Sequence, residues 1–233
     1  MNIVGWQKVS LIDYPGKIAT ILFTPGCNYN CYYCHNTDII RDNPEHILID
    51  KQEIIDYINK RKSMIDALVI SGGEPTLQAD LIGFIKKIKE TGLLIKLDTN
   101  GTRPEILRSI IDEKLLDYIA MDIKAPFEKY SNTVCAETDI QKIKESIDLI
   151  INSAPDYEFR TTVSPDLTSD DLEVMASYIK GSKKYVLQQY RKPVSEHLPE
   201  DPRLDLSPYP ATVFYALKDK LEKSAQKVEL RGL

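Results

Sequence analysis

The sequence predicts an α/β fold in which strands and helices alternate around a parallel sheet. Six short apolar, β-prone segments are each followed by a stretch with helical periodicity, and the links between them are short. Such alternation is typical of a parallel sheet with helices packed outside it. Six units are too few for a complete eight-unit barrel of about 250 residues, so an open six-unit barrel and an open doubly wound sheet both fit. Without an internal repeat or a boundary in composition, a single domain over residues 1–233 is predicted.

The strands are recognised by short runs of aliphatic and aromatic residues that end at residues unsuited to a strand. The first ends at Pro25 and Gly26, the second at Gly72 and Gly73, and the third at Asn100-Gly101. The predicted strands are Ala19–Phe23, Ala67–Ile70, Leu93–Leu97, Tyr118–Met121, Glu158–Val163 and Tyr185–Leu187, with a last short strand at Val228–Leu230.

The helices are recognised by their caps and by isoleucine and leucine stripes at helical spacing. Asp50 followed by Glu53 resembles a capping box before the first long helix. Gly92 is placed to end the next helix, and Pro104 is placed to open the one after it. Further helices are predicted over Ile140–Ile150, from Ser169, and around Thr212–Leu221.

Composition excludes several classes of protein. The 42% apolar and 28% charged fractions are those of an ordinary globular domain, which excludes disorder and collagen-like repeats. No apolar run approaches the roughly 18 residues of a membrane span, and 30 basic against 35 acidic residues give a net charge of −5. We therefore expect neither a membrane nor a nucleic acid as partner. Without a recognisable export signal, a cytoplasmic location is predicted, where cysteines serve as ligands or catalysts rather than in disulfides.

Three of the four cysteines form a C-x3-C-x2-C pattern at Cys27, Cys31 and Cys34, directly after the first predicted strand. A closed zinc site needs four ligands; His35 would be the fourth, but it abuts Cys34 and no second ligand pair lies elsewhere. A thioredoxin-like redox pair does not account for the third cysteine. The remaining option is a 4Fe-4S cluster with three protein ligands and one open iron.

This pattern, with Tyr33 before the third cysteine, resembles the signature of radical S-adenosylmethionine (SAM) enzymes. The resemblance implies an incomplete (β/α)6 barrel, a cluster loop over residues 24–40, and SAM bound at the open iron. It also implies that an electron from the reduced cluster cleaves SAM to give a 5′-deoxyadenosyl radical, which abstracts a hydrogen atom. Cofactor contacts are expected at Tyr33 and at Asn36, which continues the motif.

Polar residues follow several predicted strands, at the sheet edge where such folds place their chemistry. Gly72, Gly73 and Glu74 resemble the GGE motif of the family, which contacts the SAM amino group. Asp98-Thr99 and Asp122 with Lys124 resemble the DTNG-like and DxK segments of glycyl-radical activating enzymes. That resemblance implies binding of the SAM carboxylate and ribose region, in part through a monovalent cation.

Other residues have two possible interpretations. Arg160, inside an apolar strand, either pairs with a carboxylate of the SAM site or faces solvent, and Gln188 is a comparable candidate after the sixth strand. The proline-rich loop 191–210 is either a surface excursion or a lid or docking segment. Ser10–Gly16 resembles the DGPG segment of activating enzymes and is either a turn or a lip over a substrate peptide. Cys135 is expected to be a free thiol.

Three segments, Val4–Gly16, Cys34-His35-Asn36 and Leu187–Arg191, resemble the anaerobic ribonucleoside-triphosphate reductase activating proteins, and the resemblance covers nearly the whole chain. The resemblance implies hydrogen abstraction from a glycine of the large reductase subunit, with flavodoxin or ferredoxin as the electron donor. One alternative is radical SAM chemistry on a small molecule, as in 7-carboxy-7-deazaguanine synthase, or activation of another glycyl-radical enzyme. A non-enzymatic alternative is an iron–sulfur electron carrier or a zinc-bound interaction module.

Overall fold

The computed structural model describes residues 1–40, 46–195 and 197–233. The strands are β1 (Gly5–Ser10), β2 (Ala19–Thr24), β3 (Ala67–Gly72), β4 (Leu94–Thr99), β5 (Tyr118–Asp122), β6 (Tyr157–Val163), β7 (Tyr185–Gln189) and β8 (Val228–Arg231). The α-helices are α1 (Thr37–Ile40), α2 (Lys51–Arg61), α3 (Leu81–Lys89), α4 (Pro104–Asp112), α5 (Tyr130–Val134), α6 (Ile140–Ser153), α7 (Ser169–Tyr178) and α8 (Ala211–Leu221).

All eight strands form one sheet, whose spatial order is their order along the chain. Strands β2 to β8 run parallel, and β1 pairs antiparallel with β2. A doubly wound sheet would reverse its strand order at a switch point. The sequential order therefore favours the open barrel over the doubly wound sheet, and β1 and β8 remain as its two edges.

The six predicted strand-then-helix units are confirmed, but the sheet contains more than those units. The sequence does not predict strand β1, because Gly5–Ser10 shows no alternation of apolar and polar residues and three of its six residues are exposed. The last short strand adds a seventh parallel member at the far edge, through pairing of Val228 with Tyr185. Pairing with β2 and β7 stabilises two segments whose own sequences are only weakly β-prone.

The outer face of the sheet packs against the helices. Leu97, Ile119 and Phe159 lie on this face in one large apolar cluster with side chains from the helices. Helix ends follow the predicted chemistry: the Asp50 carboxylate caps α2, Gly92 has a φ of +87° after α3, and Pro104 is the first residue of α4. No helix in the described part of the chain is long and apolar enough to cross a membrane.

The inner face is divided between a small apolar cluster and a charged region. Ala19, Ile21, Ala67 and Val69 lie on the β2–β3 side, where Tyr14 from the β1–β2 loop packs over them. On the β4–β6 side, Tyr118 and Ala120 of β5 belong to the same apolar cluster, and charged residues occupy the other inward positions, because strand side chains alternate between the two faces. Those inward charges are Lys96, Asp98, Asp122, Glu158 and Arg160. The candidate site begins where this charged region meets the cluster loop.

Candidate active site

A cavity of about 260 Å³ lies at the carboxyl ends of the parallel strands, between those ends and the cluster loop. Almost every residue proposed from the sequence as a cofactor or cluster contact borders it. They are Cys27, Cys31, Tyr33, Cys34, Asn36, Gly72, Gly73, Asp98, Thr99, Asp122, Lys124, Arg160 and Gln188. Parallel strands end at the same edge of a sheet, which is why positions so far apart in sequence meet here.

The three thiols come from one short loop that follows β2. Backbone N–H groups donate to two of them: Tyr29 N to Cys27 Sγ at 3.4 Å, and Asn36 N to Cys34 Sγ at 3.3 Å. Burial raises the pKa of Cys27 to about 11 and that of Cys31 to about 12. A metal that binds these thiols must therefore displace their protons.

The Gly72-Gly73 turn after β3 lies directly against the cluster loop. A Cβ atom added to Gly73 would lie 1.9 Å from the carbonyl oxygen of Gly26, the residue before Cys27. Gly72 has a φ of +115°, a conformation that side chains rarely adopt, and its carbonyl accepts a hydrogen bond from Asn36 Nδ2 at 2.7 Å. The two glycines thus allow the β3 end to contact both sides of the cysteine motif.

Glu74 is the exception among the expected contacts, because it does not border the cavity. It is completely buried, and its carboxylate accepts hydrogen bonds from Thr76, from the Thr99 hydroxyl at 2.8 Å and from the Asn100 N–H at 2.6 Å. Burial raises its pKa, and these hydrogen bonds offset part of that effect. Glu74 joins the β3 and β4 ends through these hydrogen bonds, and it is not among the residues that border the cavity.

Arg160 on β6 joins the two acidic strand ends. Its Nε donates to Asp122 Oδ1 at 2.8 Å, and its Nη1 lies 3.3 Å from Asp98 Oδ2. Lys96 Nζ lies 2.6 Å from Asp98 Oδ1, and Lys124 Nζ lies 2.9 Å from Asp122 Oδ2. Of the two possible interpretations of Arg160, the structure shows the ion pair with carboxylates of the site.

This arrangement fixes the charge state of both acids. Burial alone would raise the pKa of Asp98, but Arg160 and Lys96 outweigh it and lower that pKa. The same balance, with Arg160 and Lys124, lowers the pKa of Asp122. Every carboxylate oxygen of the two residues has a cationic side chain as partner, so the two acids are charge-balanced within the protein. The monovalent cation that the sequence resemblance implied stays a prediction.

A second cavity of about 420 Å³ opens between the two edges of the sheet. Its lining includes Ile12 and Asp13 from the β1–β2 loop on one side and Arg231 and Gly232 from the end of β8 on the other. It shares Arg160 and Gln188 with the first cavity. The interior of the sheet is thus reached through its open seam as well as from the cluster loop.

Sequence reasoning missed several polar residues of this region. Lys96 carried the same signal as Arg160, a charge inside an apolar strand, and could have been found by it. Asn100 had been interpreted only as a turn residue, yet its amide donates to Asn28 of the cluster loop at 2.9 Å. Glu158 is completely buried, and each of its carboxylate oxygens accepts a hydrogen bond from the Arg231 guanidinium at 2.7 Å. No local pattern in the sequence predicts this pair.

The donor set fits a cluster with SAM beside it. In the described ranges, no three His, Cys, Asp or Glu side chains converge closely enough to hold a single metal ion. A four-iron cluster is larger than one ion, so its three thiolates need not meet at one point. The hydroxyl of Tyr33 is buried at the cavity without a hydrogen-bond partner among the described residues, which leaves a polar group available to a ligand.

Comparison with known proteins gives concordant results. A family model described as the radical SAM superfamily matches residues 21–179. A Methanocaldococcus jannaschii protein, provisionally named a glycyl-radical enzyme activating enzyme, is 38% identical over 193 residues, which is 80% of this chain and 78% of that protein. The pyruvate formate-lyase-activating enzyme of Staphylococcus epidermidis is 31% identical over 128 residues, about half of each chain (51% and 51%).

A solved structure of Streptococcus suis SuiB bound to S-adenosylmethionine superposes with a TM-score of 0.65 at 11% identity. The match covers 91% of this chain and 52% of that one. At this identity the likeness concerns the fold alone.

Proposed function

Given that this chain belongs to the radical SAM superfamily, which uses a 4Fe-4S cluster and S-adenosylmethionine, we propose that it is an activase. Its reaction would remove a hydrogen atom from a backbone glycine of a glycyl-radical enzyme. One observation carries the proposal: the three thiols and the polar ends of five strands border one cavity. Two relatives support this substrate class: one is named for activation of glycyl-radical enzymes and the other for activation of pyruvate formate-lyase.

In this proposal the cluster loop holds the iron. Cys27, Cys31 and Cys34 supply the three thiolates, and the N–H groups of Tyr29 and Asn36 donate to two of the sulfurs. When bound, the cluster and SAM supply an electron and a carbon-centred radical that takes a hydrogen atom. The chain itself would bind and orient the cluster and SAM, and it would exclude water from them, because Tyr33 and the glycine turn form one wall of the cavity.

The charged strand ends would orient SAM through its carboxylate. Three cationic groups, on Lys96, Lys124 and Arg160, face two carboxylates, on Asp98 and Asp122. The network therefore carries one surplus positive charge beside the cavity, which favours a ligand carboxylate there. The Gly72-Gly73 turn borders the same cavity, and in this proposal it would bind the SAM ammonium group, the role expected of the GGE-like motif.

The substrate segment would enter through the open seam. The seam cavity reaches Arg160 and Gln188 of the main cavity, and Ile12 stands at its rim with 85% of its surface exposed. In this proposal the Ser10–Gly16 segment forms one lip, as the sequence resemblance implied. A glycine on an extended loop is narrow enough to pass such a seam, and the radical formed on it is stabilised by both flanking amides.

As the specific partner we propose the large subunit of anaerobic ribonucleoside-triphosphate reductase, with flavodoxin or ferredoxin as the electron donor. This choice rests on the N-terminal segment from Val4 to Gly16, on the Cys34-His35-Asn36 continuation and on the Leu187–Arg191 segment.

The deciding experiment is anaerobic. The reconstituted, reduced protein is mixed with SAM and the large reductase subunit from the same source, and EPR and 5′-deoxyadenosine are recorded together. We expect a glycyl-radical doublet that requires SAM, and neither the doublet nor a complete cluster with Cys31→Ala. Deoxyadenosine without the doublet would redirect the search to another glycyl-radical enzyme or to a small molecule, as in a 7-carboxy-7-deazaguanine synthase-like reaction. Absence of both signals with a verified cluster would favour an electron carrier.

A further inference from the structure

The proline-rich loop 191–210 contacts the cluster loop through Ser195 and Arg203. Its residue 196 lies outside the described part of the chain. Pro202–Asp205 forms a short 3-10 helix in this segment, and Asp201 caps it by accepting the Arg203 N–H at 2.9 Å. The Asp201 carboxylate also accepts from the guanidinium, at 2.6 Å and 2.9 Å. A single acidic residue therefore orders both the backbone and the side chain of Arg203.

The Arg203 guanidinium lies over the ring of Tyr32, with its central carbon 4.0 Å from the ring centroid. Tyr32 is completely buried, and its hydroxyl donates to Asp166 Oδ1 at 2.6 Å. The second oxygen of Asp166 lies 3.7 Å from Arg203 Nη1. Arg203, Tyr32 and Asp166 thus form a closed set of contacts, the Arg203 clamp, which joins the proline-rich segment, the cluster loop and the loop after β6.

The clamp acts on the cluster loop at its centre. Tyr32 directly follows Cys31, and its ring meets the ring of Tyr33 edge-on, with centroids 5.0 Å apart. Tyr33 borders the cavity and packs edge-on against Tyr190, the residue that follows β7. A displacement of Tyr32 would therefore move the backbone between the second and third cysteines.

We propose that Arg203 is a positioning residue for the iron–sulfur cluster, acting through Tyr32 on Cys31 and Cys34. This proposal rests on the assignment of the three cysteines as cluster ligands. Contacts one layer beyond the ligands fix ligand orientation and contribute strongly to metal retention. The proline-rich segment is, on this view, part of the cluster site.

The geometry requires arginine in particular. A planar guanidinium can lie flat on an aromatic ring while its edges bond Asp201 and the Asn132 carbonyl, 3.2 Å from Nη1. A lysine keeps the charge but cannot do both at once. We therefore expect Arg203→Lys to retain the cluster less well than the native protein but better than Arg203→Ala.

The test compares Arg203→Ala, Arg203→Lys and the control Arg108→Ala, whose guanidinium pairs with Glu145 on the surface between α4 and α6. Each protein is reconstituted anaerobically, and cluster loss to a chelator and the EPR spectrum of the reduced cluster are measured. Arg203→Ala should lose its cluster about tenfold faster, with altered g-values. Arg203→Lys should lie between it and the native protein, and Arg108→Ala should match the native protein. Native release and g-values in Arg203→Ala would overturn the proposal.

A second variant guards against a failure of Arg203→Ala to fold. Tyr32→Phe keeps the ring under the guanidinium and removes only the bond to Asp166, so we expect faster cluster loss than in the native protein. Unchanged release in Tyr32→Phe together with a native-like Arg203→Lys would also overturn the clamp. A native protein that assembles no four-iron cluster would instead overturn the ligand assignment on which the clamp rests.

Discussion

The two faces of the sheet are built on opposite physical principles. Phe159 and Arg160 are neighbours on β6, yet the first is completely buried among helices and the second lies in a charged interior. The outer face is stabilised by the burial of apolar side chains. This hydrophobic interaction is non-directional, so many combinations of apolar residues can provide it. The inner face depends on particular pairs, because a charge left without its partner away from water is costly.

Register is what makes the inner pairs possible. Asp122 on β5 lies directly opposite Arg160 on β6, and Arg160 reaches past β5 to Asp98 on β4. A shift of one residue in either strand would turn these side chains to the helix-covered face. The lesson is that the outer face holds the fold and the inner face uses the resulting register to hold charges at the site.

The largest expected effect comes from a cavity on the outer face. Phe159→Ala should lower the free energy of unfolding by about 4 kcal/mol, because it removes a buried aromatic ring from a packed cluster. Urea unfolding measures this loss. SAM affinity of the folded fraction should stay unchanged, since Phe159 does not border the cavity. Tyr215→Ala, at a ring that is 59% exposed, is the control and should change stability little. Equal losses in the two variants would contradict the assignment of the outer face.

The next largest loss of stability is expected on the inner face, at Arg160, the residue that follows Phe159. Arg160→Met should cost about 3 kcal/mol, because Asp98 and Asp122 lose the group that bridges them. Unlike Phe159→Ala, it should also weaken SAM binding, which equilibrium dialysis of the reconstituted protein measures. Arg108→Met removes an exposed pair and should cost no more than about 0.5 kcal/mol. Native SAM affinity in Arg160→Met would refute a role of the charged network in binding.

A smaller effect is expected where the glycine turn meets the cluster loop. Gly73→Ala should destabilise the protein by about 2 kcal/mol, because the new methyl group collides with backbone that cannot move without displacing Cys27. Gly83→Ala is the matched control: its added Cβ meets only the Asp80 side chain, which can rotate away. Thermal unfolding compares the two variants. The interpretation of the turn as a close contact fails if Gly73→Ala is as stable as Gly83→Ala.

The smallest effect is a pH dependence of the inner face. The folded-state pKa values of Asp98 and Asp122 lie below their unfolded values. The two ionised acids therefore contribute their full stabilisation of the fold above about pH 4. This contribution is lost as the pH falls further, toward their folded-state pKa values. The stability difference between native protein and Asp122→Asn, measured by denaturant unfolding, should be constant from pH 7 to pH 5 and shrink below pH 4. A difference that does not change down to pH 3 would show that these pairs do not stabilise the fold.

The strand-and-helix alternation, most helix ends and the cysteine motif could be predicted from the sequence. These features are local: Asp50, Gly92 and Pro104 act on their own helix ends, and the three cysteines lie within one short loop. The strand-end acids could also be found, because a strand that ends in Asp98 or Asp122 places its carboxylate at one known edge of a parallel sheet.

The partners of these residues depend on the folded chain and could not be predicted. Pairing along β2 made β1 a strand, and the register of β4, β5 and β6 gave Asp98 and Asp122 a shared arginine. The carboxylate of Glu74 accepts a hydrogen bond from Thr99 on β4, and Arg203 contacts Tyr32 of the cluster loop, far away along the chain. Such contacts join residues far apart in sequence, and their energies depend on distances that exist only in the folded chain. No local sequence pattern therefore predicts them.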